Sequence, residues 1–246
     1  MTRLLVNVDP VAALRQTDQS NQPDPVAAAL QAELGGADGI AAHLRGDRGH
    51  TRERDIRLLR QTVQTRLVLR LAPAAEAIGM AMDFKPDMVT LVPPDNDGHG
   101  PAGGLDLMTK RIEIAEMIDP LKNSGIPVCL LIDPDPDQVK LAHKLDADAV
   151  EIATRAFGEA ASAKIRSQIL DKITDTVKLA RRLRMEVHAG QGLDYLSVQG
   201  LAPLKEIDCF CIGHSIVARA VLIGMVEAVR EMRRRIRESA WSKFKR

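Results

Sequence analysis

The sequence predicts an α/β fold, a single (β/α)8 TIM barrel with extra helical segments over residues 1–246. Three observations carry this. Eight short apolar runs are each followed by a helix-patterned run, and strict alternation implies a parallel sheet. The length of 246 residues suits eight such units closed on themselves, since barrels of this kind commonly run to about 250. An open doubly wound sheet is the alternative, but the G-x-G-x-x-G expected after its first strand is absent.

Leu4–Asp9 is the first β-type run. Pro23-Asp24-Pro25 opens a helix over Val26–Leu34 that Gly35-Gly36 stops. Asp38–Ala42 and Arg66–Leu71 read as the second and third strands, with helices Arg54–Gln64 and Ala74–Phe84 after them. Met88–Val92 is the fourth strand, and the Gly/Pro-rich loop 93–104 is long enough to be functional. Helix Leu105–Asn123, strand Pro127–Ile132, helix Asp137–Leu145 and strand Ala149–Ile152 follow. The remaining units are helix Ala160–Leu183, strand Met185–Ala189, helix Leu193–Lys205, strand Cys209–Gly213 and one long helix over Ser215–Arg237. No repeat or linker divides the chain.

Composition narrows the function. Hydrophobic residues make up 45%, enough for a substantial core. Aromatics are 2%, too few for the stacking platforms of single-stranded nucleic-acid binders. Residues 230–246 form a basic C-terminal helical extension with eight Lys/Arg against two Glu, which leaves the rest of the chain mildly acidic. Its arginines read as a solvated face or subunit contact, so neither nucleic acid nor membrane is expected as a partner. Cys129, Cys209 and Cys211 sit among apolar neighbours and read as buried thiols. No signal peptide and no apolar stretch of about 20 residues is visible, and a cytoplasmic location is expected.

A barrel's active site lies at the carboxyl ends of its strands. That criterion selects Asn7, Asp9, His43, Arg45, Arg70, Asp133, Glu151, His188, Gly190-Gln191-Gly192 and Gly213-His214. In His43-Leu44-Arg45-Gly46-Asp47-Arg48-Gly49-His50, arginine forks suit phosphate or carboxylate and histidines move protons near neutral pH; a solvated charged turn is the other reading of this loop. Ile212-Gly213-His214-Ser215 offers free N–H groups at a helix start; Gly190-Gln191-Gly192 by itself reads as a tight turn, but two glycine loops on adjacent strands favour a phosphate cup. Asp133-Pro134-Asp135-Pro136-Asp137 could ligate a hard cation, but its prolines and the helix that follows favour N-capping, and no metal site is expected. No lysine ends a strand, which weakens a Schiff-base aldolase reading.

With these residues in place, the chain resembles the pyridoxine 5′-phosphate synthase family, the barrel enzymes of vitamin B6 synthesis. The matching segments include Val6-Asn7-Val8-Asp9, Leu14-Arg15, Pro23-Asp24-Pro25, His43-Leu44-Arg45, Arg54-Asp55, Gly103-Gly104-Leu105-Asp106, Glu151-Ile152 and Ile212-Gly213-His214. The resemblance implies condensation of 1-deoxy-D-xylulose 5-phosphate with 3-amino-2-oxopropyl phosphate to pyridoxine 5′-phosphate, phosphate and water. It further implies no organic cofactor, inorganic phosphate as bound ligand or product, small phosphorylated substrates and a homo-octamer. It carries a proton-transferring histidine onto His43, and substrate or phosphate contacts onto Asn7, Asp9, Arg45, His50, Gly192, Gly213 and His214.

Several positions depart from the family pattern, among them the T-T-E that reads Gly100-Pro101-Ala102. A substrate-contacting histidine reads Pro10, an arginine falls near Asp18, the strand-three glutamate is Arg70, and the loop histidine after strand seven is Gln191. Neither arginine nor glutamine serves as a general acid or base under working conditions. His188 and Glu151 are then the candidates to join His43 in catalysis. The alternative is a paralogue that binds a phosphorylated metabolite with a changed or lost reaction.

Overall fold

The computed structural model describes residues 2–17, 20–44, 50–94 and 103–242. Strands β1 (Arg3–Asn7), β2 (Gly39–His43), β3 (Arg66–Leu71), β4 (Met88–Leu91), β5 (Val128–Ile132), β6 (Ala149–Ala153), β7 (Glu186–Gly190) and β8 (Cys209–Ile212) close into a barrel in sequence order. Every neighbouring pair is parallel, including β8 with β1. Helices α1 (Asp9–Thr17), α2 (Pro25–Leu34), α3 (Glu53–Thr62), α4 (Ala75–Phe84), α5 (Arg111–Asn123) and α6 (Pro136–Lys144) follow the first five strands. The rest are α7 (Arg155–Gly158), α8 (Ala163–Arg182), α9 (Val198–Leu201), α10 (His214–Ile223) and α11 (Met225–Ser242).

Successive strand residues face opposite sides, and the core divides accordingly. Outward residues such as Leu4, Val6, Ile40, Leu67, Leu69, Val89, Leu130, Val150, Val187 and Phe210 join the helices in one large apolar layer. Inward residues Leu5, Ala41, Val68, Met88, Cys129, Ala149, Cys209 and Cys211 fill the barrel. The three thiols are free and buried there, as their apolar neighbours imply.

Where the structure departs from the sequence reading, the causes are local. Residues 9–17 form α1, where that reading has only Asp9, as the end of the first β-type run; Pro10 falls in the first turn, where a missing N–H costs nothing. The helix expected over Leu193–Lys205 contracts to α9. Asp194 instead accepts from the N–H groups of Leu196 and Ser197 and from the Ser197 hydroxyl, a turn that competes with helix. Only the turn around Gly200 remains before Pro203. The single closing helix is two, because Gly224 adopts φ +82° between α10 and α11. The basic segment is thus part of a separate helix packed against α2 and α9 rather than an extension of α10; residues 243–246 lie outside the described residues. Asp135 caps α6, accepting from Asp137 N–H at 2.9 Å.

The N-terminal end of the barrel is closed by charge. Glu186, inward at the start of β7, pairs with Arg3 and with Arg66, the latter at 3.2 Å, and its Oε1 lies 2.6 Å from His188 Nε2. Burial alone would raise the Glu186 carboxyl; the His188 hydrogen bond and the charges of His188, Arg3 and Arg66 outweigh it and hold the group well below the ordinary carboxylate range. A depressed carboxylate contributes stability above its unfolded value of about 4.3, and the contribution is lost as pH falls below that. Glu186→Gln is therefore expected to lower stability by about 2 kcal/mol at neutral pH. The gap from wild type narrows below about pH 4. Urea unfolding across pH 3–7 measures it, and a variant as stable as wild type at pH 7 contradicts the assignment.

Candidate functional site

At the opposite end, the first two strands are tied together by a carboxylate. Asn7 ends β1, and its Oδ1 accepts from Asp9 N–H at 2.8 Å, turning the chain into α1. Asp9 Oδ1 then accepts from His43 N–H at 2.7 Å and from the Thr51 hydroxyl at 2.9 Å. The ends of β1 and β2 and the residues leading into α3 thus meet at one side chain.

The return of the β2–α3 loop is fixed from below. Arg15, buried on α1, forms a fork-to-fork pair with Asp55, Nη1 to Oδ1 at 2.9 Å and Nη2 to Oδ2 at 2.7 Å, and Nη2 also donates to the His50 carbonyl at 2.9 Å. Asp55 in turn accepts from Arg52 N–H at the start of α3. Burial would raise the Asp55 carboxyl, but the Arg15 hydrogen bond leads the effects that pull it below the usual range. His50 is held by its backbone, half-buried at the rim. Arg45 and Asp18 lie outside the described residues.

Across the barrel, Arg70 of β3 reaches Glu151 of β6. Nη1 lies 2.7 Å from Glu151 Oε2 and 3.6 Å from Cys211 Sγ. Burial works against the guanidinium charge, but Glu151 and Cys211 beside it outweigh burial and raise its pKa further. Burial and the Glu151 charge push the Cys211 thiol up to about 12, with Arg70 opposing them, so this thiol is neutral at pH 7 and no nucleophile. Glu151 Oε1 lies against Gly190, where even a Cβ would clash with it.

The last two strands end in glycine loops. Gln191 and Gly192 have φ +71° and +67°, folding the chain after β7 sharply. Thr154 secures that fold, its Oγ1 lying 2.6 Å from the Gly190 carbonyl and 2.7 Å from that of Gln191. Gly213 caps α10, and His214 is its first residue. The Ser215 hydroxyl donates to the Leu193 carbonyl at 2.8 Å, joining this helix start to the β7 loop. Backbone N–H groups at the start of a ten-residue helix beside a glycine turn suit a phosphate.

Asn7, Asp9, His43, Glu151, Gly192, Gly213 and His214 therefore gather at the mouth, with Arg70 in its floor. Pro10 is built into α1, and Gln191 Nε2 lies 3.4 Å from the Gly103 carbonyl, bridging the β7 loop to the chain entering α5. His188 departs from expectation. Its ring turns toward the N-terminal end, to Glu186, and it is sealed from solvent, so it does not stand in for the loop histidine. The rim criterion selects strand ends and is blind to which end of the barrel an inward side chain leans toward. The Arg15–Asp55 clamp and Thr154 are positioning residues that sequence reasoning missed. Their signal was an Arg and an Asp within the dipeptides Leu14-Arg15 and Arg54-Asp55, which carry the family resemblance yet have no role at the rim.

The family model described as pyridoxal phosphate biosynthesis protein PdxJ matches residues 4–238. The pyridoxine 5′-phosphate synthase of Syntrophotalea carbinolica is 51% identical over 233 residues, covering 95% of this chain and 98% of its own. That of Geobacter metallireducens is 47% identical over 232 residues, covering 94% and 97%. Among solved structures, the Amycolatopsis orientalis BexX/CysO complex aligns with a TM-score of 0.65 at 13% identity, over 100% of this chain and 92% of that one. Thiamine phosphate pyrophosphorylase from Pyrococcus furiosus aligns at 0.62 and 14%, over 97% and 96%. At such identities these two show the shared fold alone.

Removing one partner of a buried ion pair leaves an uncompensated charge and costs about 3–5 kcal/mol. Arg15→Met is expected to destabilise by that order and to release the His50 segment, raising amide hydrogen exchange at residues 50–55 above that of β2. Exchange mass spectrometry measures both effects; unchanged protection at 50–55 contradicts the clamp.

Proposed function

The chain belongs to the pyridoxal phosphate biosynthesis protein PdxJ family, and from that premise we propose that it is a pyridoxine 5′-phosphate synthase in vitamin B6 biosynthesis. It condenses 1-deoxy-D-xylulose 5-phosphate with 3-amino-2-oxopropyl phosphate, releasing phosphate and water. The observation that carries the proposal is the convergence at one mouth of His43, the Asn7–Asp9 turn and the glycine loops after β7 and β8. Gly192, Gly213 and His214 hold a phosphate through backbone N–H groups and the helix start. Asn7, Asp9, Arg45 and His50 bind the remainder of the phosphorylated substrates.

His43 is the proton-transferring group. Its backbone is pinned by Asp9, and it neighbours Arg70 in register, so its ring works beside a permanent cation. Glu151 supplies the carboxylate of the mouth, at β6 rather than at β3. No organic cofactor is invoked, and inorganic phosphate is both product and bound ligand. Exposed Val221 and Leu222, next to Ile223 at the end of α10, offer an apolar patch for homo-oligomer assembly, with an octamer as the expected form. Among the described residues no helix is long and apolar enough to cross a membrane, and three buried free thiols suit a reducing cytoplasm.

One observation bears on the alternative, which the relatives do not favour. Arg70 occupies Glu151 Oε2, and neither Arg70 nor Gln191 transfers protons, which suits a paralogue that binds phosphorylated ligands with a changed or lost reaction. A single positioned acid or base contributes about 10²–10⁴-fold. Incubating the purified chain with both substrates is expected to yield pyridoxine 5′-phosphate, at a rate reduced by that factor in His43→Asn. No product in wild type, with phosphate binding retained in calorimetry, supports the second reading and rejects the first.

A further inference from the structure

The polar groups at the bottom of the mouth differ in what solvent reaches. Glu151 is 1% exposed and Thr90 is fully buried, whereas Arg70 at 6% and His43 at 8% each keep a patch open. Arg70 and His43 are register partners on adjacent strands, so their inward side chains stand side by side. Arg70 therefore keeps a solvent-facing edge beside His43, whose Nε2 is buried, while the carboxylate of Glu151 is covered.

The guanidinium is held in place without being used up. One nitrogen, Nη1, makes the contacts to Glu151 Oε2 and Cys211 Sγ. Nη2 and Nε have no partner among the described residues. Glu151 is wedged, with one oxygen on Arg70 and the other against Gly190, where no side-chain atom could fit between them. An arginine anchored along one edge keeps a planar pair of N–H donors for an anionic oxygen.

We propose that Arg70 is a ligand-contacting cation of this mouth, oriented by Glu151, and that it selects phosphorylated ligands bearing a second anionic oxygen, a carboxylate or an enolate. Glu151 is the positioning residue of the pair. The inference rests on the reading that phosphorylated ketones bind here: their carbonyl oxygen becomes such an anion when a neighbouring proton leaves, and a fixed cation stabilises that charge as it develops.

The test is calorimetric and needs no turnover. 2-Phosphoglycolate carries a phosphate and a carboxylate, whereas glycerol 3-phosphate lacks the second anion. Wild type is expected to prefer 2-phosphoglycolate by about 10-fold or more, the range of hydrogen bonds to charged groups. Arg70→Met is expected to reduce that preference to within about 2-fold while leaving glycerol 3-phosphate affinity nearly unchanged. Arg70→Lys, which keeps the charge and guards against misfolding, retains part of the preference. Glu151→Gln cuts it, and Glu151→Asp restores it in part, which separates positioning from mere structural support. Wild type without the preference, or Arg70→Met keeping it, overturns the proposal. The preference without pyridoxine 5′-phosphate formation rejects the synthase reading and leaves this one standing; formation without the preference does the reverse.

Discussion

The inside of a closed eight-stranded barrel receives only alternate residues of each strand, and little water reaches them. A charge placed there needs a counter-charge within hydrogen-bonding distance. This chain meets that constraint at two levels. Near the base, Glu186 collects Arg3, Arg66 and His188; below the mouth, Glu151 takes Arg70. Between and around these levels lie small and medium apolar side chains, including three thiols whose pKa burial drives upward. The base is consequently filled by paired charges, and the polar strand ends of the mouth lie at the other end.

The same constraint explains what was legible in the sequence. All eight strands could be read from their apolar runs, and Arg66–Leu71 has the same ends in both readings, because burial on both faces leaves few other interpretations. Less legible were elements decided by a single side chain. Asp194 shortens the expected seventh-unit helix to α9 by capturing three donors, and Gly224 breaks the terminal helix at a positive φ that any glycine could or could not adopt. No pattern in the surrounding residues announces either event.

The candidate site was legible in its parts rather than its wiring. Asn7, Asp9, His43 and Glu151 follow from the strand-end criterion alone. That Asp9 joins β1 to β2, or that Arg15 reaches under the rim to Asp55 and the His50 carbonyl, spans 34–40 positions of chain, and spacing carries no information at that range. His188 shows the limit most clearly. It stands at the middle of β7, two positions from either end, yet its ring belongs to the base network because Glu186, itself ringed by arginines, offers the stronger partner.

An arginine on β3 has a consequence beyond its inability to accept a proton. A carboxylate at Arg70 would face Glu151 across the barrel, and two buried carboxylates in contact cannot both ionise without another cation or a shared proton. With arginine there, the pair is balanced within the protein, and ligand charge is not required to settle it. The mouth is thereby ordered before a ligand arrives, with fixed donors facing a His43 whose backbone is already held by Asp9. An ordered cation of this kind stabilises negative charge without reorganising when that charge appears. Arg70 thus gives the floor a fixed cation paired with Glu151, below the glycine loops that follow β7 and β8.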